Sequence, residues 1–180
     1  DLGVHLVDLI RWNFGEPVRV SASAGIAYPT RTVPGGEKPA DTEDFCTVMA
    51  ELASGAQATL LVSRGARAAN EQTLEAYGSL GALRYRLAGE SGWTVPDLGK
   101  VSIHGPGFIE RAIADVVACF LEGRKCQLDA SNALSATEII FGAYESCRHR
   151  GRVDFPLLID DNPLAAMVKN GDLKPAPPKP

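Results

Sequence analysis

The sequence has no apolar run approaching the roughly 18 residues that span a bilayer. Its longest helix-like apolar stretch, Ile109 to Leu121, is broken by Glu110, Arg111 and Asp115, and no membrane partner is expected. Basic residues do not dominate either. Lys and Arg number 18 against 22 Asp and Glu, the net charge is −4, and no basic run or aromatic-basic array occurs. A nucleic-acid surface needs such a footprint, so none is expected. There are four cysteines, Cys46, Cys119, Cys126 and Cys147, but no Cys-x-x-Cys, so the common zinc and dithiol motifs are missing. Cys46 and Cys119 lie in apolar runs and read as small core residues. Reduced thiols and a cytoplasmic location are expected. No Gly-x-Gly-x-x-Gly follows a strand and opens a helix, as the dinucleotide fingerprint requires. The proline of His104-Gly105-Pro106-Gly107 marks a turn, and Gly78-Ser79-Leu80-Gly81 falls between two strands. No internal repeat is visible.

What is present suits a globular domain with a real core: 180 residues, 45% hydrophobic and 22% charged. Its most informative stretch is the first, Asp1 to Trp12. Wound at about 100° per residue, Leu2, Leu6 and Leu9 form one stripe and Val7, Ile10 and Phe14 another. Asp1, His5, Asp8 and Trp12 fall on a third. Two carboxylates and an imidazole within two turns can converge on one point. Histidine moves protons near neutral pH, and a carboxylate one turn away can orient it. The same i, i+4, i+7 set could hold a metal, but no further ligand cluster is seen downstream, and no metal is expected.

The rest alternates between strands and helices. The first helix should stop at Gly15, before Pro17. Val18 to Tyr28 has period two and reads as a half-buried strand. Pro29 to Ala40, with three prolines and two glycines, reads as a loop, and Asp41-Thr42-Glu43-Asp44 as a solvated acidic approach to the next strand. Phe45 to Leu52 and Ala56 to Arg64 form a hairpin around Ala53-Ser54-Gly55. Gly65 to Asn70 reads as a loop. Glu71 to Tyr77 and Ala82 to Leu87 form a second hairpin. Ala88 to Phe108 reads as irregular, with a short strand at Val101 to Ile103. Phe108 to Glu122 carries Ile109, Ile113, Val116, Val117, Phe120 and Leu121 at helical spacing, read as core. Asp129 or Ser131 can cap a second helix burying Leu134, Ile139, Ile140, Ala143 and Cys147, stopped near Gly151. Val153 to Ile159 reads as an edge strand limited by Pro156, Pro163 to Val168 as a helical turn, and Lys174 to Pro180 as an extended or disordered tail. This is an α+β chain: a mainly antiparallel open sheet with helices packed on one face. A substrate-binding and oligomerisation domain is expected over residues 1–160, with a partly disordered extension over 161–180.

Asp-x-Gly-x-His-x-x-Asp, followed by Arg11-Trp12 and Gly15-Glu16-Pro17-Val18, resembles the start of the second domain of the Gfo/Idh/MocA oxidoreductases. The similarity continues through Thr42-Glu43-Asp44-Phe45, Ser54-Gly55-Ala56, Gly78 to Leu83 and Phe120-Leu121-Glu122-Gly123-Arg124. It runs on through the helix from Ala133 to Cys147. The resemblance implies a C-terminal domain of the glyceraldehyde-3-phosphate dehydrogenase-like type. It implies an NAD(P)-dependent dehydrogenase of a sugar, cyclitol or related polyol. Asp1 and His5 match the family's Asp-x-x-x-His pair, so His5 would be the general base and Asp1 would bind substrate and set the imidazole's basicity. Asp8 matches a further acid that touches a substrate hydroxyl in some members. NAD or NADP would be held mainly by an N-terminal Rossmann domain, which is not in this sequence. By resemblance the sheet face, with Tyr77, Tyr85 and their neighbours, would make a homo-oligomer. A chain beginning inside the motif is expected to be a piece of a longer enzyme and inactive alone. Two other readings stay open: a non-catalytic assembly or binding module, and an NAD-dependent glycosidase-type enzyme with no net redox change.

Overall fold

The computed structural model describes residues 3–64, 72–87, 93–95, 99–101 and 107–175. Asp1, the Gly65–Asn70 loop, His104 and the last residues of the tail lie outside these. The elements run α1 (Gly3–Phe14), β1 (Pro17–Gly25), β2 (Thr30–Val33), β3 (Gly36–Pro39), β4 (Phe45–Leu52), β5 (Gln57–Ser63), β6 (Gln72–Gly78), β7 (Gly81–Leu87), β8 (Trp93–Val95), β9 (Gly99–Val101), α2 (Phe108–Glu122), α3 (Ala130–His149), β10 (Val153–Asp154) and α4 (Pro163–Asn170). They form two compact units, residues 1–65 with 129–180, and residues 66–128.

In the first unit an antiparallel sheet runs β10-β1-β4-β5. Alternation sends Val20, Val48, Ala50, Leu52 and Leu60 to one face, where they pack with Val7 of α1 and Ala136, Ile139 and Ala143 of α3. Gly142 lets α3 come close: a Cβ there would stand 2.6 Å from the Phe155 ring. Ser146, buried in α3, accepts the Ala22 N–H (2.8 Å) and donates to the Gly151 carbonyl, tying the helix to β1 and to the turn beyond it. Asp129 caps α3 by accepting from the Asn132 N–H at 2.9 Å, so of the two expected caps Asp129 is the one used. Arg11 of α1 reaches the same helix start, donating to the Asn132 carbonyl (3.0 Å) while pairing with Asp8 and Glu16. On the sheet's other face Met49 and Leu61 are exposed. The second unit carries another antiparallel sheet, β6-β7-β8-β9, and α2.

An α+β fold of helices with antiparallel open sheets is as expected, but several local expectations are overturned. Pro29–Ala40 is not a loop. Pro34-Gly35 makes a two-residue turn between β2 and β3, with Gly35 at φ 99°, and proline then glycine at these positions is the type II signature. The edge strand expected over Val153–Ile159 shrinks to Val153–Asp154, paired with Val20 and Arg19. Strands β8 and β9 occupy part of a region read as irregular; β9 includes Val101 of the strand expected at Val101–Ile103, whose Ser102 and Ile103 lie outside the described residues. Leu134 of α3 is exposed, and Ala136 takes the buried position. The largest departure is α2. Ile109, Ile113, Phe120 and Leu121 are exposed, and the shielded stripe is Ala112, Asp115 and Cys119. Helical periodicity identifies the apolar face of a helix; it does not say that the chain supplies a surface to cover that face.

Candidate functional site

Helix α1 forms as expected and stops at Gly15, whose φ is 101°. Val7 faces the core, and His5 lies about 160° round the helix from it. His5 is therefore exposed, as is Trp12 on the same side. The His5 imidazole has no hydrogen bond or ion pair among the described residues. Asp8 is half-buried and accepts from Arg11 Nη1 at 2.9 Å. Arg11 is bound in turn by both Glu16 carboxylate oxygens at 2.7 Å. Of the three candidate residues, the structure thus places His5 outward, Asp8 on an arginine, and leaves Asp1 undescribed.

The first turns of α1 also line a cavity of about 380 Å³ within the first unit. Gly3, Val4 and Val7 form one wall, and Val48, Leu60, Val62, Ile140 and Ala143 the apolar floor. Polar groups come from the run before β4, from β2, from α3 and from the end of β5: Thr42, Glu43, Asp44, Arg31, Tyr144 and Arg64. A mainly apolar cleft with a few convergent polar groups is the usual form of a small-molecule site. The acidic run is solvated only at its start: Asp41 is exposed, as composition suggested, but Glu43 is partly buried and Asp44 fully so. Asp44 is buried and accepts the N–H groups of Ala27 and Tyr28, each at 2.8 Å. Glu43 Oε1 accepts the Tyr144 hydroxyl at 2.9 Å. Glu43 Oε2 is buried with no hydrogen-bond partner among the described residues. Arg31 donates to the carbonyls of Thr42 (2.7 Å) and Glu43 (2.9 Å) and holds this run in place. Sequence reasoning missed Glu43, Tyr144 and Arg31, because the groups meet across 101 positions of chain at Glu43–Tyr144. Arg64, at the end of the second strand of the β4–β5 hairpin, also lines the cavity.

Cys46 also lines this cavity. Burial, reinforced by Cys147 and Glu43, pushes its thiol from an ordinary 9.0 up to about 12. Tyr144 is raised as well, chiefly by burial and then by Glu43, and stays a hydrogen-bond donor. Only the thiolate is nucleophilic. Alkylation of Cys46 in the folded chain at pH 8 should therefore run about a thousandfold slower than in the unfolded chain. Above pH 9 the unfolded thiol ionises while the folded one keeps its proton to about 12. The unfolded state then binds fewer protons, so stability should fall as pH rises through this window. Denaturation midpoints across it, with Cys46→Ala as the reference, test this; a wild-type midpoint that stays level or rises relative to the variant would refute it.

Among the described residues no helix is long and apolar enough to cross a membrane. Residues 1–84 match the family model described as the GFO/IDH/MocA C-terminal domain. Solved structures with the same fold include levoglucosan dehydrogenase in complex with NADH and L-sorbose, at 22% identity and a TM-score of 0.72, covering 87% of this chain and 50% of that one. The WlbA dehydrogenase from Bordetella pertussis, in complex with NADH and UDP-GlcNAcA, matches at 19% identity and a TM-score of 0.67, over 88% of this chain and 44% of that one. An oxidoreductase from Agrobacterium radiobacter, in complex with NAD+, L-tartaric acid and magnesium, matches at 19% identity and a TM-score of 0.65, over 86% and 48%. The chain spans about half the length of these structures. No curated protein matches it.

Proposed function

We propose, from the match of residues 1–84 to the family model of the GFO/IDH/MocA C-terminal domain, that this chain is the substrate-binding half of an NAD(P)-dependent dehydrogenase. Its substrate class is a sugar, cyclitol or related polyol. The observation carrying this reading is that family match, which opens on the helix bearing His5. The relatives' complexes with NADH and sugar ligands support the substrate class. A nicotinamide, held mainly by residues outside this chain, would supply the hydride acceptor when bound. As the substrate's carbon gives up hydride, His5 takes the hydroxyl proton, and a C=O bond forms. Asp1 hydrogen-bonds the substrate and sets the basicity of His5. Asp8, already held by Arg11, offers its remaining acceptor capacity to a second hydroxyl.

The cavity is lined by Gly3, Val4 and Val7, on the side of α1 turned away from His5, so it is a separate small-molecule pocket from the place where His5 would meet the substrate. Glu43 Oε2 is a shielded acceptor without a donor among the described residues, and a ligand hydroxyl would satisfy it. The outer face of the first sheet, with Met49 and Leu61 exposed, is the surface we assign to homo-oligomer contacts. We place the protein in the cytoplasm, in keeping with its free thiols.

The test is direct. Protein from the full gene is screened against sugars and polyols with NAD+ and with NADP+, following reduced nicotinamide. Turnover of at least one polyol is expected with that protein and none with residues 1–180 alone. Tightly retained NAD+ with glycoside cleavage and no net reduced product would favour the glycosidase-type alternative. Self-association and ligand binding without any nicotinamide dependence would favour the binding module.

A further inference from the structure

Helix α2 and the turn after it bring together three groups that the sequence holds apart. Asp115 and Cys119 stand one helical turn apart, at i and i+4, on the shielded stripe. Gly123 ends the helix in the left-handed conformation, with φ 66°, and the Arg124 N–H closes back onto the Cys119 carbonyl at 3.1 Å. This reversal returns Cys126 to the same face. Asp115 Oδ2 then lies 3.7 Å from Cys119 Sγ and 3.9 Å from Cys126 Sγ. All three ligand atoms lie within 4.8 Å of one another. The Lys125 carbonyl oxygen is 3.8 Å from Cys119 Sγ.

We propose that Asp115, Cys119 and Cys126 form a binding site for a thiophilic divalent cation, with zinc as the expected occupant. The distances fit. Zinc–sulfur bonds of about 2.3 Å and zinc–oxygen bonds of about 2.0 Å at a tetrahedral angle separate sulfur from oxygen by about 3.5 Å. The observed separations exceed that edge by a few tenths of an ångström. The carboxylate is already oriented: Asp115 Oδ1 is bound by Arg124 Nη2 at 2.7 Å, which leaves Oδ2 for the sulfurs. Arg124 is itself held by Glu122 at 2.8 Å. An outer partner that fixes a ligand's orientation is a regular feature of metal sites. Two thiolates and one carboxylate offset a divalent ion plus the guanidinium, and Glu122 on Arg124 adds one further negative charge beside the site. The fourth position falls to water or to the Lys125 carbonyl. The Cys-x6-Cys spacing matches no metal motif, because the glycine-stopped helix end makes the approach.

The reduced chain, cleared of metal by chelation, is titrated with cobalt(II) as a spectroscopic stand-in for zinc. A thiolate-to-cobalt charge-transfer band is expected, saturating at one ion per chain and abolished by zinc. Cys126→Ser should weaken binding more than about a hundredfold, beyond the loss from removing an outer-shell partner. Asp115→Asn is a second variant that spares both thiols and should weaken it measurably. Cys147→Ser, in the other unit, should leave binding unchanged. Absence of the band in the reduced chain would overturn the site. So would its persistence in a Cys119→Ser, Cys126→Ser double variant. A Cys119–Cys126 disulfide as isolated, with no metal uptake after reduction, would assign the pair to redox chemistry instead.

Discussion

His5→Ala should lower kcat/KM for polyol dehydrogenation by about 10²–10⁴-fold, the range for losing a positioned general base. That is about 3–5.5 kcal/mol of transition-state stabilisation. The chemistry demands it: hydride leaves the carbon only as the hydroxyl proton is removed, and the imidazole is the acceptor best suited near neutral pH. The loss should appear in kcat more than in KM, because proton removal is a feature of the transition state. Added imidazole should restore part of the rate. Stability should barely move, since the side chain is exposed and makes no hydrogen bond among the described residues. Measuring both in the protein from the full gene separates the two roles. Retained turnover with an unchanged kcat would rule His5 out as the base and leave the nicotinamide reading to rest on another group.

How much of this could be read from the chain alone depends on where each signal lies. Helix α1, the β4–β5 hairpin and the cap at Asp129 are local. Their apolar periods and turn residues sit within a few positions, and they appear where expected. The same periodicity failed at α2, where Ile113 and Phe120 look like core but are exposed. Burial is a property of a neighbour, and sequence spacing contains no neighbour. The β2–β3 hairpin was hidden by its own turn: proline and glycine mark a break, yet the break was two residues long and joined two strands. Helical spacing singled out Asp1, His5 and Asp8, of which Asp1 lies outside the described residues, His5 is exposed and Asp8 is held by Arg11. Glu43 and Tyr144 could not be singled out in this way, because the strand approach and α3 meet only in the folded sheet. The Asp115, Cys119 and Cys126 grouping was equally hidden, since a left-handed glycine closes it.

The acidic run before β4 carries the sharpest contrast between composition and structure, and it yields the largest expected stability effect. Asp44→Ala should cost about 3 kcal/mol and lower Tm by about 6–12 °C for a chain of this size. Beyond Gly25 the chain leaves the β1 strand, and the N–H groups of Ala27 and Tyr28 turn to a side chain. The Asp44 carboxylate serves both: Oδ1 and Oδ2 accept from Ala27 at 2.8 and 3.0 Å, and Oδ2 from Tyr28 at 2.8 Å. Its own backbone pairs with Gly25 and Arg64, so the side chain is fixed at both ends of the connection. Removing it takes the carboxylate from both donors, at about 1–3 kcal/mol for each hydrogen bond lost; water entering from the adjacent cavity moderates the sum. Asp44→Asn keeps one acceptor oxygen and should lose about half as much. Asp41→Ala, three residues earlier and exposed, should stay within about 0.5 kcal/mol of wild type. Thermal melts of the three variants decide the matter. Composition alone treats Asp41 and Asp44 as equivalent, so equal melting temperatures for their alanine variants would mean that Asp44 is not holding the turn. A wide gap between them, with Asp44→Asn in between, would mean that the turn after β1 is built on one buried carboxylate.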